Sequence, residues 1–115
     1  MSDCIFCDIV ASQQESTIIF TNDAVIVIRD IHPKAPIHLL VISKKHVPSL
    51  NTLADADHEI VTSMIFAARD VSALQGVKGY KLVCNVGREG GQIIDHLHMH
   101  VLGGWTSGER KTADV

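Results

Sequence analysis

An alternation of histidines with apolar residues near the end of the chain constrains the fold more than any other feature. The stretch reads, in order, His96, Leu97, His98, Met99, His100 and Val101. Because side chains of a β-strand point to opposite faces in turn, the pattern predicts a strand with three imidazoles on one face. Neighbouring imidazoles would lie about 6.6 Å apart along it. The apolar residues would cover the other face, which predicts a sheet packed against a core on one side.

Three interpretations of this histidine face are open from the spacing. The histidines are satisfied polar groups of a structural strand, although three on one face are hard to explain in that way. Alternatively, two imidazoles in His-x-His spacing bind one metal ion. In the third interpretation, one imidazole attacks a phosphorus atom while its neighbours hold charge and move protons. The spacing alone does not choose between the last two.

Composition narrows the class of protein. The chain has 115 residues, of which 46% are apolar, so it predicts one domain with its own core. A net charge of -3 argues against a nucleic-acid partner held by electrostatics. No apolar run is long enough to span a bilayer, and the N-terminus has no signal region. We therefore expect a cytoplasmic protein with no membrane partner.

The other segments predict an α+β fold. The predicted elements are, in order, a short helix over 4–10, strands over 17–21, 24–29 and 38–43, a long helix from Asp55 or Asp57 to about Gln75, a strand over 80–86 and the histidine strand over 96–102. The strand over 38–43 is continuously apolar, which is typical of a central strand buried on both faces.

Three short motifs carry further chemistry. Cys4 and Cys7 have CxxC spacing, which fits half a zinc site, a redox pair or two small buried residues. Asp30 ends a predicted strand, where it could hold ribose hydroxyls or cap a turn. The loop over 87–92 is rich in glycine, which lets backbone amides approach an anion, although such loops are often plain hairpin connections.

Together these residues resemble the histidine triad (HIT) superfamily. The motifs that carry the resemblance are the histidine strand, Ile5-Phe6, Arg29-Asp30-Ile31, Ala35-Pro36, 38–46, Gly79-Tyr80, Asn85 and Gly90-Gly91-Gln92. The ending Val101-Leu102-Gly103-Gly104 is similar to that of the Hint branch, the nucleotide-binding phosphoramidases. The resemblance implies a single HIT domain over 1–115 with tails at 1–3 and 105–115. It also implies an antiparallel sheet of about five strands, one long helix, a short N-terminal helix and a homodimer joined at the long helix.

The resemblance further implies a reaction. Members of this branch hydrolyse purine nucleoside 5′-phosphoramidates, and some aminoacyl-adenylates, to a nucleoside monophosphate and an amine. His98 would be the nucleophile that forms a nucleotidyl-histidine intermediate, His100 and His38 would orient it or bind the phosphoryl oxygens, and His96 or water would protonate the leaving amine. The alternatives are a dinucleoside-polyphosphate hydrolase or nucleotidyl transferase, a nucleotide-binding regulatory scaffold, and a zinc metallohydrolase that uses the three histidines.

The resemblance also assigns the nucleotide-binding residues. Asp30 would hold the ribose, an apolar slot would hold the base, and Asn85 with the backbone of the glycine-rich loop would hold the phosphate. The slot residues are Phe6, Ile9, Ile28 and Ile31, and the loop residues are Gly91, Gln92 and Ile93. Ile93 departs from the family, where serine or another polar residue is common.

The CxxC motif gains an interpretation from the same source. Several bacterial members begin with Cys-Ile-Phe-Cys, as this chain does, and hold a structural zinc ion. The implied ligands are Cys4, Cys7, His46 and His96, a tetrahedral Cys2His2 set. The family needs no catalytic metal. Without zinc, His46 is an ordinary polar residue at the end of a strand.

Overall fold

A five-stranded antiparallel sheet is the frame of the molecule, for which a computed structural model describes residues 3–106. The strands are β1 (Ile18–Thr21), β2 (Val25–Arg29), β3 (Ile37–Ser43), β4 (Tyr80–Val83) and β5 (His98–Gly103). Their order across the sheet is β1-β2-β3-β5-β4, and every neighbouring pair is antiparallel. The predicted α+β fold with about five strands is confirmed.

Two helices flank the sheet. The short helix α1 spans Ile5–Val10, and the sulfur of Cys4 caps it by accepting the backbone N–H of Cys7 at 3.4 Å. The long helix α2 spans His58–Leu74. It begins later than Asp55 because Asp55–Asp57 forms a separate 3-10 turn. Both helices agree in type with the sequence prediction.

The sheet is buried on both faces, and the alternation along β3 shows why. Leu39 and Val41 point to the face covered by α2, whereas Leu40 and Ile42 point to the face covered by α1. From α2 the buried residues are Met64, Ala67, Ala68 and Val71, and from α1 they are Phe6 and Ile9. Each fully buried leucine or isoleucine contributes about 1.5–3 kcal/mol to folding. The prediction of a central strand buried on both faces is confirmed.

The histidine strand is shorter than its sequence pattern predicts. It begins at His98, because the backbone N–H of His96 bonds to Ile94 and that of Leu97 bonds to Val47 instead of the strand ladder. His96 therefore lies before the strand. The strand before the glycine-rich loop also ends early, at Val83, and a 3-10 turn over Arg88–Gly90 follows. As a result, His96 and the glycine-rich loop both lie outside the strands of the sheet.

The chain ends are described only in part. Trp105 and Thr106 follow β5 without regular structure, and the rest of the predicted tails, 1–2 and 107–115, lies outside the described residues. Among residues 3–106, no helix combines the length and the apolarity that crossing a membrane requires.

Candidate active site and metal centre

Three of the predicted catalytic histidines meet where β3 pairs with β5. His100 lies opposite Leu40, and His38 lies opposite Leu102. Residues paired across antiparallel strands share a face, as do residues two apart on one strand, so His98 points to the same side. The ring centroids of His98 and His100 are 5.3 Å apart, and those of His38 and His100 are 5.2 Å apart.

These rings open into a cavity of about 770 Å³, a volume typical of small-molecule sites. It lies between the α1 side of the sheet and the glycine-rich loop. Its lining residues are Phe6, Asp30, His32, Lys34, His38, Leu40, Asn85, Glu89, Gly90, Gly91, Ile93, Ile94, His98 and His100. The wall thus combines apolar side chains, imidazoles and the backbone of the glycine-rich loop.

The hydrogen bond of His98 fixes which of its ring nitrogens carries the proton. Its Nδ1 lies 2.6 Å from the carbonyl oxygen of His96. Because a carbonyl only accepts, Nδ1 carries the proton and donates it. In the neutral ring the lone pair is then on Nε2, which is the tautomer that an attacking imidazole requires.

The same reasoning assigns the tautomers of the other two rings. The backbone N–H of Lys34 donates to Nδ1 of His38 at 3.0 Å, so the proton of His38 is on Nε2. That nitrogen lies 2.9 Å from Nδ1 of His100, which therefore accepts. His100 consequently carries its proton on Nε2. In the neutral rings, Nε2 of His100 thus carries a proton that it can donate, whereas Nε2 of His98 carries a lone pair.

Burial keeps these three rings neutral. It lowers the pKa of His38 and of His98 below the ordinary value of 6.5, although the Asp30 carboxylate opposes the shift in both. The pKa of His100 falls to about 4 through burial first and then through the neighbouring His98 and His38. Neutral rings at pH 7 preserve the tautomers assigned above.

Asp30 lies at the rim of the cavity. One carboxylate oxygen accepts the backbone N–H of His32 at 2.8 Å, and the other lies 3.4 Å from Nε2 of His38. The first contact is that of a turn cap, so the two interpretations of Asp30 are compatible. A carboxylate has about four lone-pair sites, and those not used here can accept hydroxyl groups.

Two side chains fix the conformation of the glycine-rich loop through hydrogen bonds. Asn85 donates from Nδ2 to the carbonyl of Gly90 at 2.8 Å. Gly91 has a φ of +87°, and a Cβ there would lie 3.4 Å from Nδ2 of Asn85, so the position suits glycine. Gln92 is buried and braces the loop from behind, accepting from the backbone N–H of Gly87 and donating to the carbonyls of Pro48 and Ile94.

Five of the residues predicted for catalysis or nucleotide binding lie outside the cavity lining. Ile9 and Ile31 line a neighbouring groove of about 600 Å³. Ile28 is buried in the core beneath Phe6. The side chain of Gln92 points away from the cavity, since its amide is used within the loop. His96 is fully buried at 0% exposure and points to another cluster, so it does not stand with His98 as the strand pattern predicted.

The structure adds residues that the sequence prediction left out. Lys34, Leu40, Glu89 and Ile94 line the cavity. Leu40 could have been found, because it lies two residues after His38 on the same strand face. Lys34 acts through its backbone N–H, which no side-chain pattern indicates.

A second cluster lies on the other side of His96. Nδ1 of His96 is 3.3 Å from the sulfur of Cys4, 3.5 Å from that of Cys7 and 3.1 Å from Nδ1 of His46. The Cys7 sulfur is also 3.1 Å from Nδ1 of His46. All four donor atoms lie within 4.8 Å of one another. The structure therefore brings together the four residues that the resemblance implied.

This cluster, Cys4–Cys7–His46–His96, fits a tetrahedral zinc ion. Usual Zn–N and Zn–S bonds place neighbouring ligand atoms about 3.3–3.8 Å apart, close to the separations seen here. Nε2 of His96 donates to the carbonyl of Ser43 at 2.6 Å, which leaves the lone pair on Nδ1 facing the cluster. Burial and the Cys4 sulfur raise the pKa of the Cys7 thiol to about 11, so a bound cation would have to stabilise its thiolate.

Comparisons with known proteins agree with this fold. The sequence family described as scavenger mRNA decapping enzyme C-term binding matches residues 3–113. The purine nucleoside phosphoramidase of Escherichia coli strain K12 is 36% identical over 104 residues, which cover 89% of this chain and 87% of that protein. A HIT family hydrolase from Legionella pneumophila Philadelphia 1 superposes with a TM-score of 0.87 at 38% identity, covering 90% of this chain and 95% of that one.

A zinc-bound histidine triad family protein from Mycobacterium smegmatis is also similar. Its TM-score is 0.82 at 25% identity, and the match covers 97% of this chain and 84% of that one. The family match extends over most of the chain, and the E. coli relative is 36% identical over 89% of it. This chain therefore belongs to the histidine triad family, as its sequence motifs predicted.

Proposed function

We propose that this chain hydrolyses purine nucleoside 5′-phosphoramidates to a nucleoside monophosphate and an amine, with His98 as the nucleophile. The observation that carries the proposal is the hydrogen bond from Nδ1 of His98 to the His96 carbonyl, which leaves Nε2 with its lone pair beside the cavity. The name of the E. coli relative supports the substrate class. Aminoacyl-adenylates offer the same α-phosphorus with a carboxylate as the leaving group and are a second substrate class.

The reaction has two steps. Nε2 of His98 attacks the α-phosphorus, a P–N bond to the ring forms, and the P–N bond to the amine breaks. The departing amine takes up a proton. Water then attacks the phosphorus, the bond to His98 breaks, and the nucleoside monophosphate leaves with a proton released to solvent.

His100 stabilises the charge that develops on the phosphoryl oxygens. Its Nε2–H is a fixed donor, because Nδ1 is committed to His38. A donor held in place before the reaction needs no reorganisation, and such donors typically contribute about 3–4 kcal/mol to lowering the barrier. The backbone of the loop around Gly91 supplies further amide groups on the opposite wall.

In this proposal, water protonates the departing amine. His96 was the other candidate, but it lies outside the cavity lining, and both of its ring nitrogens have partners in the protein. Ile93, at 83% exposure on the cavity wall, offers no proton either. The amine portion of the substrate therefore leaves past an apolar side chain.

We also infer that the Cys4–Cys7–His46–His96 cluster holds zinc in a structural role. When bound, zinc would cross-link α1 to the segments after β3 and before β5. The donor set and its spacing support this inference, as does the zinc-bound relative. A catalytic metal on Asp30, His38 and His100 is a weaker proposal, although these residues cluster as well. Nδ1 of His38 accepts from Lys34, so its Nε2 keeps its proton and lacks a lone pair for a metal.

We further propose that a second copy of this chain covers the outer face of α2. Met64 and Ala67 are buried in the core of their own chain, whereas Ile65 and Phe66 are 42% and 50% exposed on the same helix. The edge strand β4 adds Leu82 at 40% exposure. Sedimentation equilibrium tests this proposal, and a mass of 12.5 kDa, that of one chain, would contradict it.

The proposed activity is tested with the variant His98→Ala on adenosine 5′-phosphoramidate. Loss of the nucleophile should lower kcat by about 10⁴-fold or more, while adenosine monophosphate still binds. His58→Ala is the matched control, because His58 is exposed on α2 far from the cavity. Single-turnover mass spectrometry of the unmodified chain should detect a nucleotidyl adduct on His98.

The same assay separates the alternatives. Retained turnover in His98→Ala would contradict the mechanism, and loss of all turnover on chelation with an intact fold would favour a metallohydrolase. Faster cleavage of diadenosine polyphosphate than of the phosphoramidate would point to the other enzymatic branch. Nucleotide binding without turnover of either substrate would favour a regulatory scaffold.

A further inference from the structure

His96 contacts both the Cys4–Cys7–His46–His96 cluster and the cavity histidine His98, the first through its ring and the second through its backbone carbonyl. Its ring belongs to the Cys4–Cys7–His46–His96 cluster, and its backbone carbonyl accepts the Nδ1–H of His98 at 2.6 Å. The ring is completely buried, and its second nitrogen is bonded to the Ser43 carbonyl at 2.6 Å. A residue held in this way has little freedom to move its carbonyl while its ring stays in place.

The backbone around His96 is bonded to one neighbouring segment. The N–H of His96 bonds to the nearby carbonyl of Ile94, whereas the N–H of Leu97 bonds to the carbonyl of Val47 at 2.7 Å and the Leu97 carbonyl accepts the N–H of Ser43 at 3.2 Å. Both of these partners lie in the stretch 43–47 that carries His46, so the ring contacts and the backbone bonds hold His96 against the same segment. His46, Cys4 and Cys7 are 50, 92 and 89 residues away along the sequence.

The helix that supplies the two cysteines also touches the nucleophile. Phe6 lies between Cys4 and Cys7 in α1, and its ring packs edge-to-face on the rings of both His96 and His98, at centroid distances of 5.9 Å and 5.0 Å. Loss of the cluster would remove the contacts of the Cys4 and Cys7 sulfurs with the segment before β5. Both the carbonyl partner and the packing partner of His98 would then be loosened together.

We propose that His96 is a positioning residue, and that zinc in the Cys4–Cys7–His46–His96 cluster holds its carbonyl where it keeps the proton of His98 on Nδ1. When the cluster is empty or broken, the His96 carbonyl moves and the neutral ring of His98 also populates the tautomer with its proton on Nε2. That tautomer has no lone pair for attack at the cavity. The metal therefore acts on the reaction through the main chain, without touching the substrate.

The test reads the tautomer of His98 directly by two-bond ¹H–¹⁵N NMR correlation spectra at pH 7.5. Zinc-loaded protein should show His98 protonated on Nδ1 alone. Protein stripped of zinc and the variant His46→Ala should both show a mixture of tautomers. His46 is exposed, so its substitution leaves the core intact. The variant His46→Cys, which restores a zinc ligand, should restore the single tautomer.

Two controls separate positioning from general loosening of the fold. Val71→Ala removes buried volume from α2 far from the cluster, so it should lower stability without changing the His98 tautomer. In the phosphoramidate assay, which rests on the proposed function, His46→Ala should lower kcat about tenfold with KM unchanged within twofold. His46→Cys should recover the kcat of the unmodified chain.

The proposal is overturned if His98 keeps its Nδ1–H tautomer in zinc-free protein and in His46→Ala, if His46→Cys fails to restore it, or if the chain binds no zinc at equilibrium. The spectra do not depend on turnover. If the unmodified chain fails to cleave any phosphoramidate, the proposed function falls while the tautomer measurement still decides the role of His96.

Discussion

Two regions of this molecule use histidine in opposite ways, although only one residue separates His96 of the first region from His98 of the second. In the Cys4–Cys7–His46–His96 cluster, both ring nitrogens of His96 are committed to partners in the protein. In the cavity, His98 commits Nδ1 to the backbone, and its ring lines the cavity wall. The difference shows that the role of a histidine here depends on how many of its nitrogens the fold has engaged. Spacing along the sequence carries no such information.

Burial alone does not make this distinction. His96 and His98 are both buried, at 0% and 8% exposure, and burial lowers the pKa of both. What differs is the environment of the second nitrogen, which is a sulfur and imidazole cluster for His96 and an open cavity for His98. Substitutions at the two positions should therefore separate stability from catalysis.

The largest effect on stability is expected at His96. His96→Ala leaves a cavity in a fully buried site and an unpaired Ser43 carbonyl, and it removes a zinc ligand, so the free energy of unfolding should fall by about 3–5 kcal/mol. His98→Ala opens onto the existing cavity and should cost about 1 kcal/mol. Urea denaturation with measurement of bound zinc checks both values. Equal losses of stability in the two variants would contradict the comparison.

A smaller effect is expected from pH at His100. Its pKa is about 4 in the folded chain and near the ordinary value of 6.5 in the unfolded chain, so between these values only the unfolded chain binds the proton. The free energy of unfolding should therefore fall as the pH falls, by about 1–2 kcal/mol for this group between pH 7 and pH 5.

The contribution of His100 to the pH dependence of stability is obtained by comparing the unmodified chain with a variant that lacks this imidazole. Urea denaturation of the unmodified chain and of His100→Asn, both with excess zinc, should show a steeper pH dependence for the unmodified chain. Parallel curves would mean that His100 titrates normally in the folded state.

The smallest effect is expected at Asp30, which lies at the edge of the cavity. Asp30→Asn keeps the shape of the side chain but weakens its acceptance of ribose hydroxyls, so KM for adenosine 5′-phosphoramidate should rise about tenfold with little change in kcat. A 2′,3′-dideoxy substrate is the control, because it lacks those hydroxyls. On that substrate the variant and the unmodified chain should have the same KM, and a remaining difference would place Asp30 elsewhere in the reaction.

Much of the fold followed from periodicity. The alternation around Met99 and the apolar run of β3 gave the two central strands, because side-chain direction in a strand is a local property. The predicted start of β5 at His96 was wrong. The sequence still alternates there, but the N–H of His96 bonds to Ile94 and that of Leu97 bonds to Val47. Val47 belongs to a distant segment, so the local sequence does not encode this partner.

The site was less accessible to sequence reasoning than the fold. The CxxC spacing left three interpretations open, and its partners His46 and His96 came from a family resemblance, since no local pattern joins residues so far apart. The role of Gln92 was missed for a similar reason. The family resemblance assigned only the backbone of Gln92 to the phosphate, whereas its side-chain amide is buried and bonds to the carbonyl of Pro48 in a distant segment. Lys34 was missed because its contribution comes from the main chain.

The reliance on main-chain groups has a consequence for how this site tolerates mutation. The proton of His98 is placed by a carbonyl, and the lone pair of His38 is engaged by the N–H of Lys34. Every amino acid supplies a carbonyl, and every one except proline supplies an N–H. A substitution at 34 or 96 therefore leaves the hydrogen-bonding group itself in place. It can still shift the backbone that carries the group, most of all at 96, where the ring that holds the carbonyl would be lost.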